Sequence, residues 1–77
     1  MTERPHATLD ARGLNCALPI LRTRKQLAAL ESGQLLEMRA TDPGSLKDMA
    51  SFCQQTGHQL MESHNDGNEF RFLIRKA

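Results

Sequence analysis

The sequence predicts an α/β (α+β) two-layer sandwich in which two helices cover one face of a four-stranded mixed sheet. The length of 77 residues allows one domain. The apolar spacing switches repeatedly between strand and helix periods, which gives the order β-α-β-α-β-β. The sequence contains no internal repeat, linker or low-complexity segment. We therefore expect a single domain over residues 1–77, with residues 1–6 as a flexible tail.

The first half of the chain predicts a strand, a helix and a second strand. "HATLDAR" favours a short strand that Gly13 interrupts. A helix is expected from about Pro19 to Ser32, with Gly33 closing it. Its apolar face carries Ile20, Thr23, Leu27 and Leu30, and its outer face carries Arg22, Lys25 and Ala29. "QLLEMRAT" then alternates, which places Leu36, Met38 and Ala40 on the buried face of a strand.

The second half predicts a helix followed by a β-hairpin. "TDPGS" indicates a helix start, capped either by Asp42 with Pro43 in the first turn or by Ser45 with Asp48 in a capping box. The helix is expected to end at Gly57, and its apolar stripe comprises Leu46, Met49, Ala50 and Cys53. "HQLMESH" and "EFRFLIRKA" are the two hairpin strands, joined by "NDGN".

The composition excludes several classes of function. With 39% hydrophobic residues, 25% charged residues and a net charge of +1, the chain has the composition of an ordinary soluble domain. No apolar run approaches the ~18 residues of a membrane span, and "MTERPHATLD" lacks the apolar region of a signal peptide, so we expect a cytoplasmic protein. The absence of Trp and Tyr argues against direct, specific nucleic-acid binding. The three scattered histidines predict no metal site.

The two cysteines occupy different sequence settings. Cys53 lies four residues after Met49 on the apolar stripe, which favours an inert core residue. Cys16 follows a glycine-containing turn and directly precedes a helix. There, unpaired N–H groups and the partial positive charge of the helix start favour a thiolate. Pro19 suits the first helical turn and helps to set where the helix begins.

The charges near Cys16 are one-sided. From Ala11 to Leu30 there is no acid, and the four cations are Arg12, Arg22, Arg24 and Lys25. They are candidates for stabilising a thiolate or docking an acidic partner, and the alternative is a solvated helix face. Asp10 is expected to end the first strand, with orientation of Arg12 as the alternative. No histidine is placed to act as a base and no second cysteine is nearby, so a reactive Cys16 would suit a group carrier.

Two stretches, "LDARGLNCALPILRTRKQLA" and "ATDPGSLKDMASFCQQTGHQL", resemble the TusA/SirA family of small sulfur carrier proteins. The resemblance runs from Leu9 to about Arg75 and rests on L-D-x-R-G-L-x-C, Pro19, D-P-G-S and T-G-H. It implies the sandwich fold described above and a cytoplasmic carrier whose Cys16 takes sulfane sulfur from a cysteine desulfurase or another donor as a persulfide. It implies no separate cofactor. The acceptor would be a protein of tRNA 2-thiouridine synthesis, molybdenum-cofactor synthesis or sulfur oxidation. Such a carrier is of the sulfurtransferase type and is not a stand-alone turnover enzyme.

One departure from the family pattern concerns the residue after Cys16. The family has C-P-x-P, and this chain has Cys16-Ala17-Leu18-Pro19. A proline at position 17 would restrict the backbone of Cys16, the residue before it. With Ala17 there instead, we expect a cysteine loop that is competent but less rigid. Two other functions remain open: a non-enzymatic regulatory interaction module of the same fold, and an RNA-binding domain like that of a translation initiation factor. The near-zero net charge counts against the second.

Overall fold

The computed structural model describes residues 5–15 and 17–77. In chain order it contains β1 (Ala7–Ala11), α1 (Leu18–Ala28), β2 (Leu35–Ala40), α2 (Ser45–Thr56), β3 (Gln59–Asn65) and β4 (Phe70–Arg75). The strand order is β1-β2-β4-β3. β1 is parallel to β2, and the other two pairs are antiparallel. The predicted order of elements and the mixed sheet are confirmed.

The hydrophobic core lies between the helices and one face of the sheet. Met38 on β2 pairs with Phe72 on β4, and both are fully buried. Leu27 from α1 and Met49 from α2 belong to the same buried cluster. Both helices therefore cover the same sheet face. The predicted buried face of β2 is confirmed by Leu36, Met38 and Ala40, but Leu35, on the opposite face, is buried as well.

The start of α2 differs from both predicted caps. The helix begins at Ser45, and its N-cap is Gly44, a residue without a side chain to cap the helix. The Gly44 N–H instead donates to Asp42 Oδ1 at 3.2 Å. Ser45 is the first residue of the helix and is buried. The N-cap is therefore neither Asp42 nor Ser45, as predicted, but Gly44, and Asp42 acts on the helix start by accepting the N–H of that glycine.

The buried stripe of α2 is shifted relative to the prediction. Its members are Ser45, Met49, Phe52 and Cys53. Leu46 is 40% exposed and Ala50 is also exposed, so their placement in the stripe is wrong. The physical reason is that each residue turns the helix by about 100°, so the large Phe52 ring and Ala50 cannot both face the core. The predicted end at Gly57 is confirmed, because Gly57 adopts φ +84° and its N–H donates to the Cys53 carbonyl at 2.9 Å.

α1 ends earlier than predicted, at Ala28 instead of Ser32. Gly33 is not its closing residue: it lies in the following turn with φ +87°, and its N–H donates to the Lys76 carbonyl at 2.8 Å. Lys76 Nζ in turn donates to the Leu30 carbonyl at 2.9 Å. Contacts from the end of the chain therefore hold the segment between α1 and β2 out of the helix.

The N-terminal tail and the hairpin complete the fold. Residues 1–4 of the predicted tail lie outside the described residues. His6, also assigned to the tail, is bound to β2: its N–H donates to the Leu35 carbonyl at 2.8 Å, and its Nδ1 accepts the Leu35 N–H at 3.0 Å. The predicted hairpin turn is present, with the Asp66 N–H donating to the Glu69 carbonyl at 2.8 Å. Neither α1 nor α2 has the length and apolar content that crossing a bilayer would require.

Candidate functional site

The candidate site is the segment between β1 and α1. Cys16, the predicted reactive residue, lies outside the described residues, so the site is described from its neighbours. Asn15 and Ala17 are both exposed. The Leu18 N–H donates to the Asn15 carbonyl at 3.3 Å, and Ala17 is the N-cap residue of α1. The backbone on both sides of position 16 therefore faces solvent at the start of a helix.

The start of α1 carries no negative charge. No acid lies in the first turn, and the N-cap residue Ala17 makes no side-chain cap hydrogen bond. The partial positive charge of the helix start is therefore not neutralised within α1, which favours an anion placed there. Pro19 is buried and its carbonyl accepts the Thr23 hydroxyl at 2.7 Å. Its buried position in the first turn suits fixing the helix start more than contacting a partner.

Ala17 has backbone angles that a proline would also accept. Its φ is −78°, and proline is fixed at about −65 ± 15°. The backbone conformation at position 17 therefore does not require alanine in place of proline. Its consequence for the cysteine loop stays a prediction.

The loop before Cys16 is anchored by an ion pair between Asp10 and Arg12. Arg12 Nε lies 2.9 Å from Asp10 Oδ1, and Nη2 lies 2.9 Å from Oδ2. The Arg12 N–H also donates to Asp10 Oδ1 at 3.1 Å. Asp10 therefore orients Arg12. The expectation that Asp10 ends the strand is wrong, because β1 continues to Ala11.

These hydrogen bonds shift both ionisations. The side-chain and backbone donors of Arg12 lower the pKa of Asp10 to about 2, and Asp10 raises the pKa of Arg12 above its ordinary value. Arg12 Nη1 also lies 3.4 Å from Glu69 Oε1. Arg12 is thus engaged by two acids, and its geometry suits holding the loop more than attracting an acidic partner. A further tie comes from the Gly13 N–H, which donates to Thr41 Oγ1 at 2.9 Å.

The three cations of α1 lie on two sides of the helix. Arg22 and Lys25 are exposed and line a groove of about 440 Å³ beside β1. Arg24 is directed toward α2, where its guanidinium carbon lies 5.8 Å from the Phe52 ring centroid, a cation–π arrangement. The predicted cationic run is therefore not one patch. It divides into a pair beside the sheet edge and a single arginine over α2.

Two exposed leucines near the site were missed by the sequence reasoning. Leu18 is 46% exposed and Leu21 is 57% exposed. The signal was present in the sequence, since both fall outside the Ile20, Thr23 and Leu27 spacing that α1 uses for its buried face. Large apolar side chains grouped on a surface are typical of a contact site for a partner.

The other cysteine is a core residue, as predicted. Cys53 is 4% exposed, and burial raises the pKa of its thiol. Both effects oppose thiolate formation and attack by reagents. Within residues 5–15 and 17–77, no group of three or more His, Cys, Asp or Glu side chains is arranged to hold a metal ion.

Comparisons with known proteins give a consistent assignment. The family model described as "Sulfurtransferase TusA" matches residues 7–76. The chain is 59% identical over 69 residues to the sulfur carrier protein TusA of Allochromatium vinosum, covering 90% of this chain and 91% of that protein. It is 40% identical over 72 residues to the sulfur carrier protein TusA of Pseudomonas putida strain GB-1, covering 94% and 90%.

The solved structure of a SirA-like protein from Desulfitobacterium hafniense has the same fold. It superposes with a TM-score of 0.78 at 27% identity, over 90% of this chain and 95% of that one. The family match spans β1 to β4 and includes the segment around position 16. The chain belongs to the TusA family.

Proposed function

We propose that this protein is a sulfur carrier that accepts sulfane sulfur on Cys16 as a persulfide and passes it to an acceptor protein. The observation that carries the proposal is the contrast between the surroundings of the two cysteines. Cys53 is buried, whereas the residues on either side of Cys16 are exposed at an acid-free helix start. The names of the relatives from Allochromatium vinosum and Pseudomonas putida support the carrier role.

Loading is a thiol–disulfide type of exchange. The Cys16 thiolate attacks the terminal sulfur of a persulfide on the donor, and a new S–S bond forms between Cys16 Sγ and that sulfur. The S–S bond within the donor persulfide breaks, and the donor cysteine leaves as a thiolate with the bonding electron pair. No oxidant is needed, because the sulfane sulfur moves between two thiolates. Delivery repeats the exchange, with an acceptor thiolate attacking the sulfur held on Cys16.

The start of α1 would help both steps. Exchange rates depend on the fraction of attacking thiol that is ionised and on the pKa of the leaving thiol. A helix start lowers the pKa of a neighbouring cysteine, so more of it is thiolate at neutral pH. The same partial charge favours the persulfide anion over its protonated form. The helix thus supplies an electrostatic environment and no proton-transfer group.

Donor and acceptor would dock on the surface around position 16. The exposed Leu18 and Leu21 provide apolar contact, and Arg22, Arg24 and Lys25 provide charge. The donor would be a cysteine desulfurase or another persulfide-bearing protein. The acceptor would belong to tRNA 2-thiouridine synthesis, molybdenum-cofactor synthesis or sulfur oxidation, and we place the exchange in the cytoplasm.

Loading by a desulfurase tests the proposal. The purified chain is incubated with a cysteine desulfurase and cysteine, and the intact protein is weighed by mass spectrometry before and after reduction. We expect the wild type and the Cys53→Ser variant to gain one reducible sulfur atom and the Cys16→Ser variant to gain none. Cys53→Ser is the matched control, since it removes the other thiol of the chain.

Failure has a defined meaning. If neither the wild type nor Cys53→Ser acquires sulfur from any of several desulfurases, the carrier proposal is wrong. A regulatory interaction module of the same fold, without persulfide chemistry, would then describe the protein better. A gain that survives in Cys16→Ser would equally contradict the proposal, because sulfur would then be held elsewhere.

A further inference from the structure

The outer edge of β1 belongs to a strand that keeps a continuous register with β2. β1 lies at one end of the strand order, next to β2. The Lys76 N–H donates to the Gln34 carbonyl, so by alternation along β2 Glu37 directs its backbone groups to β1. Glu37 is the register partner of Thr8 and bonds to the residues on either side of it, which leaves the backbone groups of Thr8 and Asp10 facing the outer edge. This edge therefore presents backbone donors and acceptors suited to an added strand.

The two outer strands of the sheet differ in how well they are protected. β3, at the other end of the strand order, has a register shift between Leu60 and Glu62 where it pairs with β4. Bulges and charged side chains are common devices that keep an edge from pairing with another chain. β1 pairs with β2 in continuous register over all five of its residues, and its sequence is "ATLDA". Of these two strands, β1 is the better template for strand addition.

A groove with positive charge runs between β1 and α1. It is lined by Leu9, Leu21, Arg22, Lys25 and Gln26, a set with two cations and no carboxylate. Leu21 is 57% exposed, so it can still bury apolar surface against a bound chain. A groove between an edge strand and a helix is the setting in which extended peptides add to a sheet.

We propose that the groove between β1 and α1 binds an extended acidic segment of a partner protein, which adds to the sheet as a fifth strand beside β1. The backbone of the segment hydrogen-bonds to Thr8 and Asp10. Acidic side chains on the helix-facing side of the segment contact Arg22 and Lys25 through their carboxylates. The methylene groups of the same acidic side chains cover Leu21. The lack of any acid among the lining residues makes an acidic occupant complementary and a basic one repelled.

The location connects this surface to the site. β1 leads into the loop that carries position 16, and α1 follows directly. A segment held between β1 and α1 therefore lies against both elements that flank Cys16. The identity of the partner as a sulfur donor or acceptor rests on the proposed function, whereas binding of the segment does not require sulfur transfer.

The test is an NMR titration of the ¹⁵N-labelled full chain. The probe is a short capped peptide of alternating glutamate and valine. We expect the largest amide shifts at Thr8, Asp10 and residues 21–26. A lysine–valine peptide should not bind. A glutamate–valine peptide that is N-methylated on the edge-pairing side should also fail, because it cannot donate to the strand.

Two matched charge reversals distinguish binding in the groove from non-specific attraction between an acidic peptide and a positively charged helix. Arg22→Glu should weaken binding about tenfold or more, which is about 1.4 kcal/mol. Arg24→Glu makes the same change in net charge on the side of α1 that faces α2, so it should change the affinity little. Both arginines are exposed, so neither substitution should disturb the fold.

Four results would overturn the inference. They are absence of shifts at Thr8 and Asp10, equal binding of the N-methylated peptide, equal weakening by Arg22→Glu and Arg24→Glu, and concentration-dependent shifts of the same amides without peptide. The last result would assign the groove to a second copy of this chain. Sulfur loading is measured separately, so failure of loading alone would contradict the carrier role and leave this surface standing.

Discussion

The two helices of this domain begin in different ways. At the start of α2, the Asp42 carboxylate accepts the Gly44 N–H, Asp48 lies in the first turn and Ser45 is buried. At the start of α1, no acid is present in the first turn, and Ala17 and Leu18 are exposed. The positive end of α2 is therefore neutralised by its own sequence, and that of α1 is left for an anion from outside the helix.

This difference shows how a domain of 77 residues accommodates both a core and a reactive site. α2 contributes the buried Met49, Phe52 and Cys53. α1 contributes less to the core and presents leucines and cations to solvent. The four predictions that follow test the contrast between the helices, from the largest expected effect to the smallest.

The largest effect concerns burial. Met49→Ala on α2 should lower the free energy of unfolding by about 2–5 kcal/mol, because Met49 is fully buried and its removal leaves a cavity. Leu21→Ala on α1 should change it by no more than about 0.5 kcal/mol, because Leu21 is 57% exposed. Urea unfolding of both variants measures the difference. Equal losses would show that α1 anchors the fold as α2 does.

A smaller effect concerns two equivalent hydroxyl groups. Thr23 Oγ1 donates to the Pro19 carbonyl and Thr56 Oγ1 donates to the Phe52 carbonyl, each at 2.7 Å. Thr23 is fully buried, so Thr23→Val should cost about 0.5–1.5 kcal/mol. Thr56 is exposed and water can replace its bond, so Thr56→Val should cost less. Urea midpoints in the reverse order would mean that the Thr23 bond does not hold the first turn of α1.

The third prediction tests the electrostatic contrast itself. Leu18 and Leu46 lie in the first turns of α1 and α2 and are 46% and 40% exposed. In a Cys53→Ser background, Leu18→Asp should raise the pKa of the Cys16 thiol by roughly half a unit, since it neutralises the helix start. Leu46→Asp, the matched control, should leave that pKa unchanged. Alkylation rates across pH give both values, and equal shifts would refute a local effect of α1.

The smallest effect is the acid dependence of the loop before Cys16. The pKa of Asp10 is lowered from 3.8 to about 2, so its contribution to stability is present above about pH 4 and is lost as the pH falls through about 2. The contribution should be small, because both side chains of the ion pair are largely exposed. Urea unfolding from neutral to acidic pH should show a shallower acid dependence in Asp10→Asn. An unaltered dependence would assign it to other carboxylates.

Much of this fold can be predicted from the sequence because its signals are local. The alternation of "QLLEMRAT", the "NDGN" turn and the glycine at the end of α2 each act over a few residues. The end of α1 was mispredicted because Lys76, distant in sequence, fixes the turn that contains Gly33. The buried stripe of α2 was mispredicted because the apolar residues of this helix allow two neighbouring stripes, one with Leu46 and one with Phe52. Packing against the sheet decides between them, and it buries Phe52.

The candidate site was predicted in part for the same reason. Position 16 is placed before a helix by local sequence, and the burial of Cys53 follows from its spacing to Met49. The division of the α1 cations depends on where Phe52 and β1 lie, which is tertiary information. The pairing of Asp10 with Arg12 joins two oppositely charged residues only two positions apart, so the sequence alone could have favoured it.

The most direct test of the account is to locate the carried sulfur in the wild-type chain. After loading by a desulfurase, both thiols are alkylated under denaturing conditions without reductant, and tryptic peptides are sequenced by mass spectrometry. Cleavage gives residues 13–22 with Cys16 and residues 48–71 with Cys53. We predict one extra sulfur on the peptide with Cys16 and none on the peptide with Cys53. Extra sulfur on Cys53, or shared equally between the two, would contradict the account.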